Sequence, residues 1–383
     1  MAISQILVPS VGTPHIVHSS PFPTENSRRK ILGSSESHSV RTSSSLYIRP
    51  TDEHIMHGSA ITAALAAAIA LFTLGSDAAA TPRLGGRNFP DPAIIRADDG
   101  WRAYATEVTV DGKKIHVPMA YTKDFKSWEF RGQKDGMPKL APWINTKKPK
   151  VWAPDVVALP SGKFILYYTA ALASNGAIHC LGYATSNNIE GPFVDNSAKP
   201  WICPLKQGGA IDISGFYDRS TNRRYVVYKV DGNSIGHGGE CGNTVKPIVP
   251  TPILMQRVDA NNGYGLIGTP LQILTNTPAD GPYVEAPALN YMGGKYVLFY
   301  SPQCYTTPKY DVSYAIADSI TGPYIRSGSL FKTGGPLGFQ APGGLDVAVN
   351  GDHAVWHANY GKGRALFTGK LTLKNGKVTA VVA

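Results

Sequence analysis

No stretch of this 383-residue sequence is apolar for long enough to cross a bilayer as a helix, which takes about 20 residues. The longest apolar run, AITAALAAAIALFTL at 60–74, falls short of that. Charge is sparse: Asp, Glu, Lys and Arg make up 17% of the chain, against 43% hydrophobic residues. That balance excludes a disordered polyelectrolyte and a long solvent-exposed helix. No convincing amphipathic helix is found. Cysteines number only four, and no Cys pair or Cys/His cluster has zinc spacing, so no metal site is expected on them. No Asn-x-Ser/Thr sequon occurs. The net charge is +10, yet no long basic run accompanies it; the densest cluster is Lys147-Lys148-Pro149-Lys150. A solvated basic surface is expected, with no nucleic-acid partner.

Glycine (40) and proline (29) are abundant instead, well above an average usage of roughly 12% for the two together. They follow no Gly-X-Y period and fit many turns between short strands.

The apolar run has the length of a signal-peptide h-region, about 7–15 residues. Met56 precedes it, and small residues from Ser76 to Ala80 follow as a cleavage site. Residues 56–80 therefore read as a signal peptide, although His57 is the only basic residue before the run. Residues 1–55, Ser-rich and irregular, read as a non-native or disordered extension. The rival is a short signal anchor with 1–59 as a cytosolic tail. Secretion is expected, with 81–383 as the mature domain. All four cysteines (Cys180, Cys203, Cys241 and Cys304) lie in it, so two disulfides are expected, with three pairings open.

The mature chain repeats itself. Short runs rich in Tyr, Val, Phe and Ile (FILYYTAA at 164–171, RYVVYKV at 224–230, KYVLFYS at 295–301, HAVWHAN at 353–359) are bounded by Gly, Asp, Asn and Pro. One unit recurs: an opening with Pro or Asp, an apolar strand, a polar turn and an aromatic strand. It begins near residues 90, 153, 210, 285 and 341. Spacings of 56–75 residues suit one four-stranded propeller blade per unit. The expectation is all-β: a single five-bladed β-propeller. A β-sandwich would account for the strands but not for five similar openings.

The opening strand of a blade lines the channel, so like positions converge there. Three openings carry an acid at equivalent positions: Asp91, Asp212 and Glu285. A fourth acid, Asp155, follows Pro154. Asp-Pro pairs also begin ordinary turns. However, a charge inside AIDI or VEAP is costly unless paired or used. Converging carboxylates push their pKa values apart, so one holds a proton while another is ionised.

NFPDPAII (88–95), VWAPDVV (151–157), GGAIDISGFYD (208–218) and YVEAPAL (283–289), with SNNIEGPF and DSITGPY, resemble glycoside hydrolase family 43 over about 88–370. The resemblance implies a five-bladed propeller and hydrolysis of L-arabinofuranose or D-xylose linkages in plant cell-wall polysaccharide. It implies Asp91 as the general base on water, Glu285 as the general acid on the leaving oxygen, and Asp212 as the group tuning and orienting that acid. Inversion of the anomeric centre would follow. Asp155 is read as structural. Three residues are candidates for substrate binding: Trp152 as a stacking platform or a packed core residue, Arg364 as a pocket or a surface arginine, and His237 as a cleft-mouth or simply exposed loop residue. Many members carry a PGH histidine associated with calcium. Here Pro342-Gly343-Gly344 has glycine at that place, so no metal or other cofactor is expected.

An arabinan- or arabinoxylan-cleaving enzyme is the leading reading, acting as a monomer on polysaccharide or oligosaccharide, with no membrane partner after signal cleavage. A β-xylosidase and a non-catalytic sugar-binding propeller are the alternatives. The asymmetric acid set at one channel mouth favours an enzyme over a lectin with one pocket per blade pair.

Overall fold

The computed structural model describes residues 79–383. The extension 1–55 and the candidate signal segment up to 78 lie outside the described residues. The rest is a five-bladed β-propeller built from antiparallel sheets, each blade a contiguous stretch of chain.

Blade 1 comprises Ala93–Ala97, Gly100–Tyr104, Met119–Thr122 and Glu129–Phe130, with a small hairpin (Val108–Val110, Lys113–Ile115) inserted after its second strand. Blade 2 comprises Trp152–Ala158, Phe164–Ala171 and His179–Ser186, its fourth line reduced to a bridge between Thr185 and Val194. Blade 3 comprises Ala210–Asp218, Arg223–Val230, Ile253–Val258 and Leu266–Leu274. Blade 4 comprises Val284–Met292, Lys295–Pro302, Val312–Ala317 and Ile325–Phe331. Blade 5 comprises Gly343–Val347, His353–Tyr360, Gly363–Lys374 and Lys377–Val382. Among the described residues, the only helical pieces are short 3-10 turns.

The second strands read as unbroken apolar runs because a blade is covered on both faces. Successive side chains point to opposite faces. In FILYYTAA, Ile165 and Tyr167 pack toward blade 3, whereas Leu166 and Tyr168 pack toward blade 1. The same division holds in RYVVYKV, where Tyr225 and Val227 face blade 4 and Val226 and Tyr228 face blade 2. The core is thus a ring of five apolar layers, one between each pair of neighbouring blades. Each fully buried large side chain adds about 1.5–3 kcal/mol to that ring.

The chain before blade 1 closes the circle. Phe89 N–H donates to the Arg364 carbonyl (2.8 Å) and Arg83 N–H to that of Leu366 (2.7 Å), so this segment pairs with the third strand of blade 5. Phe89 is wholly buried in the layer between blades 5 and 1. Asp155 ties blade 2 to blade 3 by accepting the Gly215 N–H (2.6 Å). Asp346 ties blade 5 to blade 1 in the same way through the Ile94 N–H (2.7 Å). The cysteines pair as Cys180–Cys203 and Cys241–Cys304. The second bridge fastens the Gly-rich loop of blade 3 to the blade 4 loop carrying Tyr305 and Tyr310.

Candidate active site

All five inner strands open on the same backbone device. Asp91, Ala153, Asp212, Ala286 and Gly344 have positive φ, between 41° and 56°. In blades 2 to 5 the ladder slips at that residue, between Trp152 and Asp155, Ile211 and Ser214, Glu285 and Ala288, and Gly343 and Asp346. Such bulges re-aim side chains at a sheet rim. A left-handed backbone costs roughly 1–2 kcal/mol in a residue with a side chain. Four blades bear that strain around one opening.

The bulge corrects the equivalence of the three acids. Asp91 and Asp212 occupy the left-handed position, whereas Glu285 stands one residue earlier, in the place of Trp152 and Ile211. The turn at Ala286 lets the longer Glu side chain enter the same cleft from the preceding position. A cleft of about 200 Å³ is lined by Asp91, Trp152, Asp212, Glu285, Tyr310 and Arg364, together with Thr106, Ile211 and Tyr305. The three predicted acids, Trp152 and Arg364 thus come together. His237 does not: it is exposed on its loop and absent from the cleft lining.

A second repeated device lies behind the first. At the end of each second strand, one residue faces the left-handed amide of the next blade. Thr106 accepts the Ala153 N–H (2.8 Å), Thr169 that of Asp212 (3.0 Å), Ser301 that of Gly344 (3.1 Å) and His357 Nδ1 that of Asp91 (3.0 Å). The fifth place holds Lys229, which cannot accept. There the Ala286 N–H turns to Asp212 Oδ2 instead (3.0 Å), and the freed ammonium goes to Glu285 Oε2 (2.9 Å). Lys229 is wholly buried, 3.5 Å from Asp231 and over the Tyr283 ring at 4.1 Å. Asp231 in turn meets His179, which packs against Trp152 with ring centres 4.4 Å apart.

Asp91 is held on every side. Arg364 grips both of its oxygens (2.7 and 3.2 Å) and the Thr106 hydroxyl donates to Oδ2 (2.6 Å). Burial alone would raise its carboxyl, but the Arg364 guanidinium and the Thr106 hydrogen bond outweigh that and hold it below the usual range. Asp212 goes the other way: burial first, then the Glu285 charge, pushes it up to about 8. Burial also raises Glu285, against the pull of Lys229. Its Oε1 accepts the Tyr310 hydroxyl (2.9 Å). One ionised carboxylate therefore faces an acid pair that retains a proton near neutral pH. That is the equipment for activating water on one side of a bond and protonating a leaving group on the other.

The profile of glycosyl hydrolases family 43 matches residues 83–380. The chain belongs to that family. It is 27% identical over 285 residues to the Bacillus subtilis extracellular endo-α-(1→5)-L-arabinanase 1, covering 70% of this chain and 79% of that protein. It is 24% identical over 239 residues to the extracellular endo-α-(1→5)-L-arabinanase of Thermotoga petrophila, covering 55% of this chain and 45% of that longer protein. In structure it is similar to a thermostable family-43 glycoside hydrolase, with a TM-score of 0.63, 20% identity, and 79% and 95% of the two chains covered. This family 43 chain is a glycosidase that hydrolyses glycosyl bonds.

The calcium associated with a blade 5 histidine in other members does not fit the residues here. A Cβ at Gly344 would lie 2.9 Å from the His357 ring, so the imidazole fills the space beside that glycine. His357 is wholly buried and held neutral, pushed down to about 3 by burial and by Arg364. Its Nδ1 accepts an amide proton, so its own proton sits on Nε2, which has no partner among the described residues. A protonated Nε2 suits an oxygen acceptor and not a cation. Among the described residues, no group of three or more His, Cys, Asp or Glu is placed to share a metal ion.

Sequence reasoning missed Lys229, Thr106, Tyr305, Tyr310 and His357. Lys229 carried a readable signal: a charge inside the apolar strand RYVVYKV, the same signal that exposed Asp212. Its substitution has a distinct consequence. Lys229→Met removes the cation that opposes the rise of the Glu285 pKa. If Glu285 is the proton donor, the alkaline limb of kcat/KM should move to higher pH, and kcat should fall because the carboxylate it becomes is no longer stabilised. An unmoved limb would show that Lys229 only packs.

Asp212 yields a stability prediction. Its carboxyl titrates at about 8 in the fold, against about 3.9 in an unfolded chain. Between those values the folded chain keeps a proton the unfolded chain has lost, so stability declines as pH rises through the window. Asparagine has no such dependence. The Tm difference between Asp212→Asn and wild type should therefore grow in the variant's favour, by several degrees, from about pH 4 to pH 8. A difference that stays flat in a thermal melt series would place the Asp212 titration outside that window.

Proposed function

We propose that this protein is a secreted inverting hydrolase of α-L-arabinofuranosyl linkages, cutting α-(1→5)-arabinan of plant cell walls. The observation that supports this is one cleft holding two kinds of carboxyl: Asp91, clamped by Arg364 and Thr106 and held low, and Asp212 with Glu285, both raised by burial. Asp91 takes a proton from water as it attacks the anomeric carbon. Glu285 gives a proton to the departing oxygen. Asp212 keeps that proton available and, through the Ala286 amide, fixes the backbone beside the acid. Such a single displacement needs carboxyl groups roughly 6.5–9.5 Å apart to admit the water. Asp91 on blade 1 and Glu285 on blade 4 line the same cleft, which supports such a division of roles.

Arabinan is favoured over xylan by the two endo-arabinanase relatives. The cleft also runs on, past Thr106, Tyr305 and Arg364, into a depression bordered by Asn88, Glu107 and Lys362. That continuation gives a polysaccharide room beyond the cut. Trp152 offers an apolar ring to a sugar face, backed by His179. Export is supported by the leader pattern at 56–80, by the two disulfides, which persist in oxidising compartments, and by the extracellular relatives.

The test is to incubate the purified protein with linear arabinan, arabinoxylan and xylo-oligosaccharides and to identify the products by chromatography. Arabino-oligosaccharides from linear arabinan are expected. Xylose alone, or no release from folded protein, would overturn the proposal.

A further inference from the structure

The inner strands begin at the catalytic cleft and end at the opposite mouth of the channel. There a second cavity of about 280 Å³ lies between the ends of blades 1, 2 and 3. The turn of blade 5 closes its remaining side. Asn290 of blade 4 holds that turn through the Gly351 carbonyl (3.1 Å), and Asn350 reaches across to the Tyr217 carbonyl (2.9 Å).

Three arginines border this cavity: Arg96, Arg219 and Arg224. None forms a salt bridge among the described residues. Arg96 and Arg219 are exposed at the rim. Arg224 is only 8% exposed. Its guanidinium lies over the Tyr217 ring at 4.6 Å, and Nε donates to the Ala260 carbonyl (2.8 Å). Its two terminal nitrogens have no hydrogen-bond partner among the described residues. Those nitrogens are not sealed from solvent; they open onto the cavity with no counter-ion, where an anion can complete them. The fork of a guanidinium matches a planar carboxylate or a phosphate.

Where the cavity meets the axial channel it is lined by Asp155 and Asp346. Asp155 accepts from the Gly215 and Val156 N–H groups and from Ser214, and Asp346 from the Ile94 and Val347 N–H groups; a carboxylate has about four lone-pair positions, so acceptor capacity remains toward the cavity. A cationic end and an acceptor end therefore share one small chamber. We propose that this far mouth binds a sugar acid, its carboxylate on Arg224 and Arg219 and its hydroxyl groups on Asp155 and Asp346. The volume is at the low end for ligand sites, which suits a single monosaccharide unit. Burial raises Asp155 to about 6, and burial together with the Asp155 charge raises Asp346, so the inner end stays short of a full double charge. A dianionic phosphate would still bring excess charge against it. A neutral sugar would leave Arg224 unpaired.

The inference does not depend on the proposed activity, because Arg219 and Arg224 are remote from the catalytic cleft. Isothermal titration of the full protein with D-galacturonate, D-galactose and inorganic phosphate tests it. Galacturonate should bind, and galactose and phosphate should bind at least tenfold more weakly. Arg224→Gln should abolish galacturonate binding. Arg219→Gln, an exposed change that leaves the fold intact, should weaken it several-fold. Both variants should hydrolyse polysaccharide at the wild-type rate. Phosphate or galactose binding as tightly as galacturonate would overturn the assignment, and so would galacturonate binding unchanged in Arg219→Gln or absent from the wild type.

Discussion

Glu285→Gln will lose about 10²- to 10⁴-fold in kcat on natural glycosides, the range that positioned proton transfer contributes. The loss follows from the leaving group. A sugar alkoxide departs only if its oxygen is protonated, and an amide at position 285 has no transferable proton. Binding should survive, because the glutamine amide oxygen still accepts from Lys229 and its NH2 group can donate to the Tyr310 oxygen. An aryl glycoside with a nitrophenolate leaving group needs no proton, so the variant should lose far less on it. That contrast separates an acid role from damage to the cleft. Equal losses on both substrates would remove Glu285 from the acid role. Retained turnover on natural glycosides would remove it from catalysis altogether.

Asp91→Asn should be as inactive, but on both substrate types. Water must be deprotonated whatever the leaving group, and asparagine cannot take the proton. No change of pH should restore activity, since nothing at that position titrates. The variant keeps the side chain's shape and its contacts with Thr106 and His357, so the fold should persist. Arg364 would lose its charge partner and could reach the substrate instead, so KM should fall or hold while kcat collapses. Substantial turnover by a folded Asp91→Asn protein would mean that another group activates the water.

The sequence carries the repeat plainly, because each blade needs the same opening turn and the same doubly covered second strand. Five openings at blade-like spacing are enough for the architecture. Asp91 and Asp212 were legible for a related reason: a charge at the channel end of an apolar strand has few purely structural uses; Trp152 and Arg364 were named as candidates through the family resemblance, and the structure brings them into the same cleft. The one-residue offset of Glu285 was not legible. A left-handed residue shifts which side chain enters the channel, and Ala286 shows no preference for that conformation in its identity. The ring of amide acceptors was also hidden. Thr106, Thr169, Ser301 and His357 look unrelated in sequence and become equivalent only when the second strands are set side by side. His357 replaces the function of a hydroxyl there, and Gly344 makes room for it. Disulfide pairing depends on which loops meet above the cleft, which no spacing encodes. His237 was open between a cleft-mouth and an exposed loop residue, because a Gly-rich loop does not encode its own path; the structure places it exposed and outside the cleft lining.

The central claim is a single displacement in which Asp91 and Glu285 act on opposite faces of the bond. Proton NMR of the first products released from linear arabinan tests it most directly, before mutarotation mixes the anomers. The account predicts the β-anomer of the new reducing end, formed from an α-linkage by inversion. An α-anomer appearing first would mean retention through a covalent intermediate and would contradict the roles given to both carboxyl groups.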